Sequence, residues 1–149
     1  MGPGDHAPDF TLPDEHGQPR ALDDFLAQGP VVLFFYPAAS SPGCTKEACH
    51  FRDLAAEFAE LGAQRVGVSA DAVDRQAAFT GQHGFDFPLL SDADGAVAKA
   101  YGVRRPGPLP NRRATFVIDA DRTLLEVITS ELSMDTHADD ALAALRQRV

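Results

Sequence analysis

From Val31 to Tyr36 every position is apolar, β-branched or aromatic, with Gly29 and Pro30 before the run and Pro37 after it. A short, continuously apolar run bounded by breakers predicts a central strand buried on both faces, in a sheet covered by helices. Beyond a loop, Ala48, Phe51, Ala55 and Phe58 recur at spacings of three and four, with Leu54 and Leu61 widening the stripe. That period predicts an amphipathic helix from about Pro42 to Leu61. Val66–Ala70 is a second short buried strand, and a helix from Val73 to His83 ends at Gly84. Phe87–Ser91 is weakly extended, and Ala93–Tyr101 is a short helix stopped by Gly102. Residues 102–113, with three prolines, form the longest irregular piece. Ala114–Asp119 and Thr123–Thr129 then make an antiparallel hairpin through Ala120-Asp121-Arg122. Residues 137–149 close as a helix with Ala138, Leu142, Leu145 and Val149 on one side. Near the start, Phe10-Thr11-Leu12 is a further short strand followed by a turn. The order β-α-β-α, then α-β-β-α, describes an α/β fold with a central mixed sheet flanked by helices, compatible with a thioredoxin-like architecture.

The chain has 149 residues, the size of one domain over 1–149, and 44% of them are hydrophobic. Such a domain needs neither a disulfide nor a metal to hold a core. Its net charge of −9 repels phosphate backbones and anionic lipid, which argues against nucleic acid or a membrane as partner. No stretch approaches the ~20 apolar residues of a bilayer span, and Met-Gly-Pro-Gly-Asp-His is no signal peptide. A cytoplasmic protein is expected. Two cysteines in a reducing compartment are seldom a permanent bridge, so at least one of them is a candidate for chemistry.

That chemistry centres on Pro37-Ala38-Ala39-Ser40-Ser41-Pro42-Gly43-Cys44-Thr45-Lys46-Glu47-Ala48-Cys49, which follows the buried strand, where reactive groups gather in α/β sheets. Ser41-Pro42 is a helix start, serine as N-cap and proline at the first helical position. Cys44 then sits in the first turn, where free backbone N–H groups and the helix dipole favour an anion. Thiolate is the reactive form of cysteine, and helix starts favour it. The Ser41 hydroxyl and the N–H groups of Gly43 and Cys44 are candidate donors for an incoming oxygen. Arg113 immediately precedes the strand 114–119. If that strand lies beside Val31–Tyr36, its guanidinium can reach Cys44 and supply a permanent charge. Arg104, Arg105 and Arg112 are read as a solvated loop. Glu47 is read either as a holder of the site's hydrogen bonds or as a solvent-facing residue. His6, His16, His83 and His137 receive no role, and the aspartates are read as surface.

Cys49 is the one other thiol. In a regular helix, Cα atoms five residues apart are roughly 8–9 Å from each other and their side chains diverge by ~140°. A disulfide needs Cα atoms within about 7 Å. A bond between Cys44 and Cys49 therefore requires the first turns of the helix to unwind. Cys49 shares its face with Thr45, Arg52 and Ala56 rather than with Phe51 and Phe58, so freeing it exposes little apolar surface. The competing reading keeps Cys49 passive and leaves Cys44 to an outside thiol.

Together, Phe35-Tyr36-Pro37, Ser41-Pro42-Gly43-Cys44-Thr45-Lys46-Glu47-Ala48-Cys49, Phe51-Arg52-Asp53 and Arg113-Ala114-Thr115-Phe116-Val117-Ile118-Asp119 closely resemble the Q-type peroxiredoxins, the bacterioferritin comigratory protein group. Pro8–Pro13, Val68–Asp71 and Phe87–Asp92 continue the likeness along most of the chain. The resemblance implies a thioredoxin-like fold of the peroxiredoxin variant. It also implies reduction of hydrogen peroxide and organic hydroperoxides, with recycling by thioredoxin or a similar dithiol. By position it makes Cys44 the peroxidatic and Cys49 the resolving cysteine, Arg113 the active-site arginine, and Pro37 a shield for the site. Ser41 stands where the family usually has threonine. It keeps the hydroxyl but loses the methyl that would fix its rotamer. No metal, haem or flavin is implied, and a monomer is expected. Two other classes compete. A metal-binding or redox-sensing module would use Cys44, Cys49 and His50, although the spacing is not a usual zinc spacing. A thioredoxin-type reductase expects two residues between its cysteines, and here there are four.

Overall fold

The computed structural model describes residues 1–148. The order along the chain is β1 (Thr11–Pro13), β2 (Pro19–Ala21), α1 (Leu22–Leu26), β3 (Val31–Phe35), α2 (Pro42–Asp53), α3 (Ala55–Glu60), β4 (Gln64–Ser69), α4 (Val73–His83), β5 (Leu89–Ser91), α5 (Ala96–Ala100), β6 (Ala114–Ile118), β7 (Leu124–Thr129) and α6 (Met134–Gln147). Five strands form one sheet in the order β5-β4-β3-β6-β7. β5, β4 and β3 run parallel, whereas β6 is antiparallel to β3 and β7 to β6. The apolar run 31–35 is thus the middle strand, and all of its residues are buried.

Alternation along β3 divides the core in two. Val31, Leu33 and Phe35 face a layer built from Leu22, Phe25 and Leu26 of α1, Val97 and Ala98 of α5, and Ala114, Phe116 and Ile118 of β6. Val32, Phe34 and Tyr36 face the other layer, with Cys44, Ala48 and Phe51 of α2, Phe58, Phe79 of α4, and Ala138, Ala141, Leu142 and Leu145 of α6. Because successive side chains of a strand point to opposite faces, a strand buried on both must be apolar throughout. Phe34 stacks on Phe51, ring centroids 4.3 Å apart, which fixes α2 on the sheet. Gly67 of β4 passes beneath these rings. A Cβ there would meet Leu89, Phe34 and Tyr36 at 2.8–3.1 Å.

Several expectations need correction. The helix expected over 42–61 is two helices, because Leu54 leaves helical geometry with φ −97° and ψ 20°. The apolar period continues through the break, so periodicity could not reveal it. The first strand starts at Thr11, not Phe10, and pairs only with β2 in a separate hairpin that the sequence reading did not foresee, nor did it foresee α1. The helix expected over 93–101 is confined to Ala96–Ala100. The last helix begins at Met134 rather than 137, and Val149 lies outside the described residues. The aspartates are not all on the surface. Asp14 and Asp92 are buried, and Asp92 accepts from the N–H groups of Val97 and Ala98 at the start of α5.

Candidate active site

Cys44 is the third residue of α2 and is 1% exposed. Antiparallel pairing sets Phe35 opposite Ala114, so Arg113 emerges beside the C-terminal end of β3, where the loop to α2 begins. Its guanidinium divides its donors. Nη2 lies 3.2 Å from Cys44 Sγ, and Nη1 donates to Glu47 Oε1 at 2.7 Å. The strand beside β3 thus carries Arg113 to Cys44. Gly43 packs against it: a Cβ at that position would stand 3.4 Å from both Arg113 Nη2 and Met134 Sδ.

The open question about Glu47 is resolved against solvent. The carboxylate is fully buried beside Arg113. The signal was available, since residues three apart on a helix share a face and Glu47 follows Cys44 by three. Burial pushes the Glu47 carboxyl up to about 7, although the Arg113 charge and hydrogen bond pull the other way. Arg113 is raised further above its usual range by Glu47 and Cys44, against its desolvation.

Ser41 occupies the N-cap position, φ −70° and ψ 153°, yet its side chain caps nothing. Its hydroxyl donates to the carbonyl of Ala38 at 2.8 Å, while its own carbonyl accepts from Thr45 N–H. The hydroxyl expected as a donor to an incoming oxygen is thus turned back on the loop. The loop's shape comes from two features the sequence reading missed. Ser40 adopts φ 66°, a left-handed conformation uncommon for a residue with a side chain. Asp71, just beyond β4, accepts from Ala39 N–H at 2.7 Å and from Ser69 Oγ at 2.7 Å. Pro37 is half-buried and lines a cavity of about 250 Å³ with Ala70, Gly95, Arg104 and Asn111. A wider cavity of about 730 Å³ is lined by Tyr101, Arg113, Ala114, Phe116 and Val127, and Ala114 and Phe116 face the apolar layer opposite to that of Cys44.

Cys49 lies in the same unbroken helix as Cys44, and both are free thiols. His50 gives Nε2 to Asp139 of α6 at 2.8 Å, and among the described residues there is no cluster of three His, Cys, Asp or Glu able to hold a metal ion. Arg105 is not merely solvated. It pairs with Glu131 at 2.9 Å, and the same Glu131 oxygen accepts from Arg113 N–H at 3.1 Å. His137, given no role from sequence, is fully buried next to Glu47.

Residues 3–127 match the AhpC/TSA family model. The chain belongs to the AhpC/TSA family. It is 62% identical over 149 residues to a Mycobacterium tuberculosis protein provisionally named a peroxiredoxin, covering 98% of this chain and 97% of that one. It is 39% identical over 145 residues to the chloroplastic peroxiredoxin Q of Sedum lineare, covering 96% and 77%. The crystal structure of peroxidoxin BcpB from Mycobacterium tuberculosis superposes with a TM-score of 0.96 at 61% identity, covering 99% of this chain and 97% of that one. The bacterioferritin comigratory protein of Xanthomonas campestris gives 0.86 at 32% identity, covering 93% and 91%. The Q-type resemblance and the thioredoxin-like fold of the peroxiredoxins both hold. This peroxiredoxin is a thiol-dependent peroxidase, an oxidoreductase that reduces a peroxide at the expense of a thiol donor.

Proposed function

We propose that this peroxiredoxin reduces hydrogen peroxide and organic hydroperoxides through Cys44, that Cys49 resolves the product within the same chain, and that a thioredoxin-like dithiol closes the cycle. The single observation that carries the reading is the buried contact between Cys44 Sγ and the Arg113 guanidinium, itself anchored on Glu47. A fixed positive charge with spare N–H donors stabilises both an attacking sulfur anion and the negative charge that develops on the departing oxygen. Cys44 as thiolate attacks the terminal oxygen of ROOH. The S–O bond forms as the O–O bond breaks, leaving Cys44 as sulfenic acid and RO⁻, which takes a proton to give ROH. Backbone N–H groups at the start of α2 add donors, and Pro37 keeps water from the sulfur. The Cys49 thiol then condenses with the sulfenic acid, forming the disulfide and releasing water. The reductant's dithiol exchanges with that disulfide and leaves oxidised, restoring both thiols.

The resolving step requires α2 to unwind from its start as far as Cys49, since neither the spacing nor the direction of the two side chains suits a disulfide in the helix. The burial pattern supports this. Of residues 42–49, Cys44, Glu47 and Ala48 are buried, and none is a large apolar side chain. Bonds farther along hold the rest of the helix. Arg65 donates to the Phe51 carbonyl, and Arg52 to that of His83. Among the described residues no helix is long and apolar enough to cross a membrane. A monomeric protein of the cytoplasm, where a dithiol donor is at hand, fits the reading. Stopped-flow mixing of the reduced protein with peroxide tests it. Cys44→Ser should abolish the fast reaction. Cys49→Ser should complete one rapid turnover and then stall as a sulfenic acid detectable by dimedone labelling. A Cys49→Ser enzyme that cycles normally with thioredoxin would exclude Cys49 as the resolving thiol.

A further inference from the structure

Glu47 has a second neighbour that the peroxidase chemistry above leaves unused. His137, in the first turn of α6, is fully buried. Its Nε2 is 2.8 Å from the Ser130 carbonyl oxygen and its Nδ1 is 2.7 Å from Thr115 Oγ1. A carbonyl only accepts, so Nε2 carries a hydrogen, and in the neutral ring Nδ1 accepts from the Thr115 hydroxyl. The same Nδ1 lies 3.5 Å from Glu47 Oε2. That oxygen is buried without a hydrogen-bond partner, whereas Oε1 takes the Arg113 bond. A buried carboxylate oxygen left unpaired costs free energy, and a proton placed between it and Nδ1 would relieve it. The ring is disfavoured as imidazolium by burial, favoured by the Ser130 carbonyl, disfavoured by Arg113 ahead of β6, and favoured by Glu131 and by Asp140 on its own helix. Glu47 on α2 and Thr115 on β6 complete its surroundings.

We propose that His137 is a positioning residue for the peroxidatic centre, sharing one exchangeable proton with Glu47 so that the occupancy of that pair sets how Arg113 divides its charge between Glu47 and Cys44. With the proton absent, Glu47 is a full carboxylate and neutralises Arg113. When solvent supplies the proton, to Glu47 or to Nδ1, the pair becomes neutral overall and the guanidinium's charge is balanced chiefly by the Cys44 sulfur. Arg113 then acts more strongly on the thiolate and on an incoming peroxide. Acid pH strengthens this field and alkaline pH relaxes it. Because burial pushes Glu47 up to about 7, the exchange falls near neutrality. The inference rests on Cys44 being the attacking sulfur.

The rate constant for peroxide reduction by the reduced protein, followed from about pH 5 to about pH 9, tests it. His137→Gln can keep the donor to Ser130 and His137→Asn the acceptor for Thr115, but neither titrates. Wild type should show an inflection near neutrality. Both variants should lose it or displace it by about one pH unit or more. Thr115→Val frees Nδ1 to bond Glu47 and should move the inflection to higher pH. Profiles of unchanged shape, merely scaled, would reduce His137 to a packing residue and overturn the proposal. Should the variants not fold, NMR of the His137 ring in the reduced wild type decides. Ring signals that follow the kinetic inflection support the shared proton, and signals constant across it refute it. If Cys44→Ser still reacts rapidly, the assignment of the sulfur has failed. If only the profiles coincide, this inference alone has failed.

Discussion

Arg113 is held from three directions. Its side chain donates to Cys44 Sγ and Glu47 Oε1, and its backbone N–H donates to Glu131. A planar fork can meet two acceptors at once, and a lysine ammonium in the same space cannot reproduce that geometry. Arg113→Lys should therefore lower the second-order rate constant with peroxide by about 10²-fold or more, in the range for losing an oxyanion-type donor, as read by stopped-flow. A loss under tenfold would mean that charge alone, not the fork, carries the effect. At this scale the sequence was legible where neighbours in space are also neighbours in sequence. Cys44 at a helix start follows from Ser41-Pro42. Glu47 was half legible, three residues on. Asp71, Glu131 and His137 were not, because each reaches the site across the fold and no local pattern marks a carboxylate or imidazole as buried.

Under the proposed mechanism the helix α2 carries two demands at once, holding Cys44 at its start and releasing Cys49 after oxidation. The break at Leu54 makes it a twelve-residue unit rather than part of a longer one, and a shorter helix is easier to melt from one end. Phe51, stacked on Phe34, anchors the half that stays. If local unwinding limits disulfide formation, helix propensity at Thr45 should tune it. Thr45→Ala adds about 0.5 kcal/mol of propensity and should slow disulfide formation roughly twofold, while Thr45→Gly should speed it. Quenched-flow samples resolved by mass follow that step apart from sulfenic acid formation. Equal disulfide rates in both variants would count against unwinding as the limiting event. The pattern of apolar residues located this helix correctly. It missed the break because Ala48 and Phe51 before Leu54 and Ala55 and Phe58 after it keep one period across a single non-helical residue.

For the molecule as a whole, Glu47 links the site to stability. Its folded value of about 7 lies above the 4.5 of a free glutamate. The folded state therefore binds more protons than the unfolded one between these values, and the group's contribution is present at low pH and lost as pH rises through about 7. His137 acts oppositely. Burial lowers it, so its contribution is lost as pH falls below its ordinary value of 6.5. Glu47→Gln removes the first dependence. Urea denaturation at about pH 5 and pH 8 should find wild type losing stability relative to the variant as pH rises, and a pH-independent difference would contradict the shift. By itself, the sequence determined the period of the main elements, the central apolar strand, the order of the larger strands and helices but not β2, α1 or the break at Leu54, and the thiol at a helix start. Those are local properties, set by side-chain spacing and backbone preference. Only the tertiary structure decided that β6 lies antiparallel against β3, that Arg113 thereby meets Cys44, and that α6 brings His137 beneath Glu47. Such contacts join residues as far as 90 positions apart, and their formation depends on how whole layers pack rather than on what any short segment prefers.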